Sequence, residues 1–194
     1  MRSAWVLVSC LAVLSCGDGM GDVFGDGQWQ VRCPIGAAMC PGAGMEVDVF
    51  GFDGGEEGVR ASCDIIESGD QRIVSFQLGN GLDPSLAVNG IVTSSAGGNV
   101  VGDACRLTVI DDGNTFGGVE QGRCGANPPS AAQPCQVGPI TFNRDGEDGP
   151  EMTTTVWCVD LPAPANPSIL RRDLTRPRMS GVPASIRLIN CEGI

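Results

Sequence analysis

Hydrophobic and polar residues alternate with a period of two along much of the chain, as in strands that bury one face of a sheet. Glu46-Val47-Asp48-Val49 shows the pattern simply, and turn pairs such as Asn80-Gly81 separate one run from the next. The pattern predicts about nine strands, over residues 45–50, 59–65, 73–78, 86–93, 106–110, 115–116, 137–142, 152–159 and 185–191. Short strands with turns between them predict an all-β fold, either a β-sandwich or a jelly roll.

One segment near the C-terminus carries a helical signal instead. Asn166 is a suitable cap, Pro167 suits a first helical turn, and Pro177 would end the helix. We therefore expect at most one short helix, near residues 167–174.

A hairpin is the clearest local motif. Residues 106–110 and 115–116 flank the turn Asp111-Asp112-Gly113-Asn114. Cys105 and Cys124 lie on either side of this hairpin, so we expect them to pair across its strands.

The N-terminus has the layout of an export signal. Arg2 is followed by an apolar stretch, residues 4–15, that is too short to span a bilayer comfortably, since a spanning helix needs about 20 residues. Val13-Leu14-Ser15-Cys16 resembles the lipobox of bacterial lipoproteins, and this resemblance covers residues 1–16 only. It implies cleavage before Cys16 and a diacylglycerol on the Cys16 sulfur. The alternative is an ordinary cleaved signal peptide, with Cys16 as one more oxidised cysteine.

Three regions follow from this interpretation. Residues 1–15 are the signal peptide, the Gly/Asp-rich residues 16–28 are a lipid-anchored flexible tether, and residues 29–194 are a single β-sandwich domain. The resemblance implies a location in the bacterial cell envelope, facing the periplasm or the cell surface. Gly17, rather than Asp, follows the lipidated position, which favours the outer over the inner membrane.

Cysteine arithmetic supports export. The chain has 10 Cys, of which Cys10 would leave with the signal peptide and Cys16 would carry lipid. An even set of eight remains, as a disulfide framework requires in an oxidising compartment: Cys33, Cys40, Cys63, Cys105, Cys124, Cys135, Cys158 and Cys191. The rival interpretation, a metal site or reactive thiols, has no Cys-x-x-Cys pair and no His behind it.

Composition excludes several kinds of chemistry. All 12 basic residues are Arg, so Lys is absent, and the chain also has no His and no Tyr. A Ser-His-Asp triad, a Schiff-base lysine and a phosphate-loop lysine are therefore ruled out. The net charge of −11 disfavours nucleic acid, because binding to it depends on basic contacts with phosphates. We accordingly expect no enzymatic activity.

Acidic Gly-rich turns offer oxygen ligands of the kind that Ca²⁺ prefers. The candidate ligands are Asp111, Asp112, Asp145, Glu147 and Asp148. The alternative is that Asp, Asn and Gly simply build tight turns. We expect no cofactor apart from the acyl groups on Cys16, with Ca²⁺ as the open alternative.

Four arginines form a local reversal of sign in an acidic chain. Arg171, Arg172, Arg176 and Arg178 lie within eight positions and offer contacts to phosphate or carboxylate groups, such as lipid headgroups or an acidic glycan. The alternative is that they pair with carboxylates of the same protein.

Three function classes remain. The first is a structural or interaction protein of the envelope, held to the membrane by its lipid and contacting an envelope protein or glycan. The second is a glycan- or calcium-binding module, for which Trp29 is the freer aromatic, because Trp157 is expected to pack in the core beside Cys158. The third is a hydrolase that uses carboxylates alone. An exposed aromatic beside the arginines would favour the second class, and a cleft with two close carboxylates, one with a raised pKa, the third.

Overall fold

Strands dominate the protein. A computed structural model describes residues 22–37, 40, 44, 46–55, 58–81 and 84–194. In these ranges it contains thirteen strands and one helical turn, α1, which spans Gly118–Gln121. The all-β prediction is confirmed. The strands are β1 (Phe24–Arg32), β2 (Glu46–Phe52), β3 (Arg60–Ser68), β4 (Gln71–Gly79), β5 (Ser85–Ser94), β6 (Arg106–Asp111), β7 (Asn114–Gly117), β8 (Cys124–Gly125), β9 (Cys135–Val137), β10 (Thr141–Asn143), β11 (Glu151–Pro162), β12 (Arg171–Thr175) and β13 (Ala184–Ile189).

The strands form two sheets. Sheet A has the order β12-β1-β13-β11-β9-β8, with β2 added beside β1 and β10 beside β11. Sheet B is a meander of five consecutive strands, β3-β4-β5-β6-β7. Five successive strands in one sheet match the sandwich alternative rather than the double Greek key of a jelly roll. The predicted hairpin is β6–β7, in which Ile110 pairs with Thr115.

The core lies between the inner faces of the two sheets. In β4 the inward residues are Arg72, Val74, Phe76 and Leu78, and in β11 every second residue from Met152 to Cys158 is buried. Leu78 of sheet B packs directly over the backbone of β1 in sheet A, where glycines leave room for it. In β4 and β11 the predicted apolar alternation therefore corresponds to one buried strand face.

Four disulfides use all eight cysteines that the sequence assigned to them: Cys33–Cys40, Cys63–Cys191, Cys105–Cys124 and Cys135–Cys158. The predicted Cys105–Cys124 pair is confirmed. Two of the four connect the sheets, because Cys63 lies in β3 of sheet B and Cys105 precedes β6 of sheet B, whereas their partners follow or belong to strands of sheet A. These cross-links fasten the sandwich.

The predicted tether at residues 16–28 is wrong at its C-terminal end. Phe24–Arg32 is strand β1, which pairs with β13 through residues 24–28 and with β2 on its other side. The Gly/Asp composition predicts a segment with nothing to bury. In the structure, Gly25 and Gly27 face the core, and the Leu78 side chain packs against them. The ordered domain thus begins before Trp29. Residues 16–21 lie outside the described ranges.

The predicted helix near residues 167–174 is also wrong. Asn166 begins a tight turn in which its carbonyl accepts hydrogen bonds from the N–H groups of Ile169 and Leu170. The chain then enters strand β12, where Arg172 and Leu174 are buried with the period of a strand. No helix among the described residues has the length and hydropathy needed to cross a membrane.

Candidate functional site

Strand β12 and the turn after it carry the four arginines of the predicted anion-contact cluster. Arg171 pairs with Asp160, and Arg178 Nε lies 3.1 Å from Glu46 Oε1. Arg172 is buried, and its Nε donates to Asp111 Oδ2 at 2.6 Å. Arg176 is exposed. Three of the four arginines therefore contact carboxylates of this chain, as in the alternative that the sequence left open.

A β-bulge places the carboxylate that meets Arg171. The register of β11 against β12 shifts between Cys158 and Leu161, and Asp160 has a φ of 57°. A bulge re-aims a side chain out of the ladder. The N–H of Asp160 thereby donates to Asp173 Oδ1 at 2.7 Å, while its carboxylate pairs with Arg171. We call Asp160, Arg171 and Asp173 the bulge site.

The electrostatics of the bulge site centre on Asp173. Partial burial raises the pKa of this carboxyl above its ordinary value, and the negative charge of Asp160 raises it further. The hydrogen bond from the Asp160 N–H and the positive charge of Arg32, which lies opposite Asp173 on β1, act in the reverse direction. Desolvation is the largest of these effects, so the pKa is raised overall.

Two surface clefts meet at the Asp160–Arg171 ion pair. The first, which we call the proline cleft, has a volume of about 480 Å³, and its walls include Pro129, Pro134, Pro162 and Val159.

The second cleft, which we call the loop cleft, has a volume of about 580 Å³, and its walls include Pro34, Ile35, Ser168 and Ile169. Asp160 and Arg171 line both clefts.

A third cleft opens on the other carboxylate of the bulge site. Its volume is about 350 Å³, and it is lined by Arg32, Cys33 and Asp173 among others. We call it the Cys33 cleft. Asp160 and Asp173 therefore lie close together but open into different clefts.

Exposed aliphatic side chains line the first two clefts. Ile35 is 97% exposed, Ile169 is 49% exposed and Val159 is 38% exposed. None of the described residues that line the three clefts is aromatic. Polar residues such as Glu120, Gln121 and Ser168 share the walls, so the arrangement is a mixed aliphatic and polar surface with one ion pair where the clefts meet. Such a mixture is ordinary for a protein-binding surface.

A second ion pair, between Arg172 and Asp111, is buried. Arg172 belongs to β12 of sheet A and Asp111 ends β6 of sheet B, so the pair connects the sheets. The guanidinium also lies over the Phe116 ring, with Cζ 4.8 Å from the centroid, and its Nη1 is 3.0 Å from Cys40 Sγ. Oδ1 of Asp111 is buried without a hydrogen-bond partner among the described residues.

The calcium candidates do not gather around one point. Asp111 is engaged by Arg172, Asp112 lies in the β6–β7 turn with a φ of 52°, and Asp148 Oδ2 is 3.6 Å from Arg187 Nη2. Asp145 and Glu147 belong to the separate turn region between β10 and β11. Within the described ranges, no group of three or more Asp, Glu, Cys or His side chains is placed to hold a metal ion.

The aromatic expectations need correction. Trp29, expected to be the freer aromatic, is fully buried in the core. Trp157, expected in the core, is half-buried on the face of β11 opposite the inward Cys158. Among the described residues, the exposed aromatics are Phe50 and Phe52, which pack edge-to-face on Phe24. They lie on the outer face of sheet A, away from the clefts.

Sequence reasoning missed Asp160 and Asp173. Both fall where the alternation was misread, one at the end of a predicted strand and one in the predicted helix. One signal was available: Cys158 and Leu161 are both inward but three positions apart, which is the spacing that an inserted bulge residue produces.

The fold places the chain in the class of two-sheet, all-β proteins stapled by disulfides. No protein-family model, curated protein or solved structure matches it.

Proposed function

We propose that the protein is a lipid-anchored, non-enzymatic component of the bacterial cell envelope with an interaction role. One observation carries the proposal: every cysteine after Cys16 belongs to a disulfide, which leaves Cys16 for the lipid. Four disulfides fit an exported, oxidising compartment. The lipobox-like Val13–Cys16 supplies the anchor, and Gly17 favours the outer membrane.

The proline cleft and the loop cleft are the proposed contact surface. A partner that covers their exposed aliphatic side chains stabilises the complex by about 25 cal/mol per Å² of apolar area removed from water. The Asp160–Arg171 pair at their junction supplies a fixed polar contact that orients the partner. The absence of aromatics among the described lining residues favours a protein partner over a glycan, because sugars stack on aromatic rings.

Anchoring is tested by fractionation of cells that produce the full chain. We expect the wild type in the membrane fraction and Cys16→Ser in the soluble fraction or in unprocessed form. Cys10→Ser is the matched control, since it removes a cysteine from the segment that is discarded. Equal membrane attachment of Cys16→Ser and wild type would overturn the lipid anchor.

The contact surface is tested by photo-crosslinking in the native envelope. A photoreactive residue at Ile35 and another at Ile169 should capture the same partner, and Arg171→Glu should abolish both products. The same residue at Gln28, on the exposed outer face of β1, is the control. Capture from Gln28 alone, or no effect of Arg171→Glu, would contradict the assignment of this surface.

A carboxylate-only hydrolase is the second candidate, and one observation favours it: the raised pKa of Asp173 beside Asp160. General acid and base must flank one substrate, whereas these carboxylates open into separate clefts and Asp160 is paired with Arg171. A glycosidase assay over a substrate panel tests this alternative. Turnover that Asp173→Asn abolishes would replace the interaction role with catalysis.

A further inference from the structure

The Cys33–Cys40 disulfide differs from the other three in its exposure. Cys33 is exposed and Cys40 is half-buried, whereas the other six disulfide cysteines are all buried, with exposures of 7% or less. The bond closes a short loop of sequence separation 7 instead of joining the two sheets. A thiol in solution therefore reaches this disulfide before the others, and opening it leaves the cross-links between the sheets in place.

The two sulfurs of this bond lie in different surroundings. Cys33 lines the Cys33 cleft, whose charged lining residues are Arg32 and Asp173. Cys40 Sγ lies 3.0 Å from Nη1 of the buried Arg172. Asp111 Oδ2 and the Phe116 ring hold that guanidinium in place.

A fixed guanidinium at Cys40 determines which sulfur leaves more easily. Arginine stays protonated in proteins, and a cation or hydrogen-bond donor at a sulfur stabilises its thiolate. Asp111 offsets part of the positive charge, but Nη1 still directs a hydrogen bond at the sulfur. Because a leaving thiol of lower pKa departs faster, attack at Cys33 with departure of Cys40 is the favoured direction.

We propose that Cys33–Cys40 is a thiol–disulfide exchange site for a small-molecule thiol. The thiolate sulfur of that molecule attacks Cys33 Sγ and forms a new disulfide with it. The Cys33–Cys40 bond breaks, and its electron pair remains on Cys40 Sγ as a thiolate beside Arg172. The reverse attack by Cys40 releases the small thiol and restores the original bond, so exchange consumes no other oxidant or reductant. The Cys33 cleft, at about 350 Å³, has room for a small thiol, and its charged lining residues are Arg32 and Asp173.

The first test uses reduced glutathione as the probe on the folded, oxidised protein. After acid quenching and alkylation of free thiols, peptide mapping should show glutathione on Cys33 and the alkyl group on Cys40, with the other three disulfides intact. Glutathione on Cys40, or opening of another disulfide at an equal or higher rate, would overturn the proposal.

The second test asks whether Arg172 acts on Cys40. Arg172→Gln is combined with Asp111→Asn so that no buried carboxylate loses its partner, and Arg176→Gln, at the exposed position just after β12, is the matched control. We expect the double variant to form the Cys33 adduct severalfold more slowly than the wild type and the control. Equal rates in a double variant that remains folded would overturn the role of Arg172.

A third measurement needs no variant of Arg172. In wild-type protein whose Cys33–Cys40 bond has been opened selectively, the pH dependence of alkylation gives the pKa of each thiol. The Cys40 thiol should titrate at lower pH than the Cys33 thiol. The opposite order would contradict the proposal even if the double variant failed to fold.

Discussion

At the residue scale, two glycines allow close contact between the sheets. Gly25 and Gly27 both face inward on β1, and Leu78 of β4 occupies the space where their Cβ atoms would lie. A Cβ at Gly25 would also come within 3.0 Å of the Ala61 Cβ. The backbone at both positions is ordinary strand, so the conformational freedom of glycine is not needed there. Glycine is needed because a larger residue would occupy the space of the Leu78 side chain.

Gly25→Ala should therefore lower the free energy of unfolding by about 1–3 kcal/mol, the usual cost of overpacking a core. Urea denaturation of the mature protein measures it, and Gln28→Ala on the exposed face of β1 is the control. In a background of Leu78→Ala, the same Gly25→Ala change should cost less, since the obstructing methyl is gone. Equal costs in both backgrounds would refute the contact.

Asp173 makes a second residue-scale prediction, in the pH dependence of stability. Its folded-state pKa is raised above the ordinary 3.8, so the folded state favours the protonated carboxyl. The resulting stability is fully present below pH 3.8 and is lost as the pH rises through the folded-state pKa.

Asp173→Asn stays neutral and keeps an acceptor for the Asp160 N–H. The variant should be more stable than the wild type at neutral pH, and this advantage should shrink as the pH falls towards 3.8. Urea denaturation across that range measures the difference, with Asp70→Asn on an exposed turn as the control for net charge. A constant difference over the whole range would contradict the raised pKa.

At the element scale, alternation predicted the strands whose inward positions are apolar. The runs in β2 to β7, β11 and β13 are of this kind, and the structure contains each of them. The predicted strand over 137–142 is split into β9 and β10, because Gly138 and Pro139 interrupt the ladder. The short β8 gave no pattern to detect.

Strands β1 and β12 were missed for a common reason. Their inward positions hold Gly25, Gly27 and Arg172, which do not count as apolar in a period-two pattern. The Gly/Asp composition predicts a flexible tether, and the arginine cluster predicts contacts with anionic groups or with carboxylates of the same protein. Only the opposite sheet, through Leu78 and Asp111, explains why these residues are inside.

A truncation tests the corrected boundary of β1. A chain that begins at Asp22 keeps the whole strand and should unfold at the same urea concentration as the mature protein. A chain that begins at Trp29 loses the pairing of residues 24–28 with β13 and most of that with β2, so we expect a large loss of stability or failure to fold. Equal midpoints for the two chains would restore the tether assignment for residues 24–28.

At the scale of the whole molecule, the sheets are joined by disulfides and by the buried Asp111–Arg172 pair. The cysteine count predicted four disulfides, but sequence spacing supported only the Cys105–Cys124 pair, because its partners flank one hairpin. The arginine cluster is evident in the sequence, but Asp111, the carboxylate that pairs with Arg172, lies 61 residues away along the chain. Pairings across the sandwich depend on the sheet topology, which local patterns do not encode.

The disulfides between the sheets should stabilise the fold more than the exposed Cys33–Cys40 disulfide does. Removal of Cys63–Cys191, which has a sequence separation of 128, should cost about 5 kcal/mol by loop entropy, against about 2 kcal/mol for Cys33–Cys40 with a separation of 7. Paired Cys→Ser variants at each bridge and urea denaturation measure this order. A larger loss from the Cys33–Cys40 pair would contradict the assignment of the inter-sheet bridges as the main staples.

The division of the cysteines into one lipid carrier and eight disulfide partners is the central claim, and mass spectrometry tests it most directly. The protein is extracted from the membranes of a bacterium that processes lipoproteins, then denatured without reduction and alkylated. We predict a chain that begins at Cys16 with the mass of a diacylglycerol-type modification on that residue, and no alkylated cysteine after it. A different N-terminus, an unmodified Cys16 or alkylation of several later cysteines would contradict the claim.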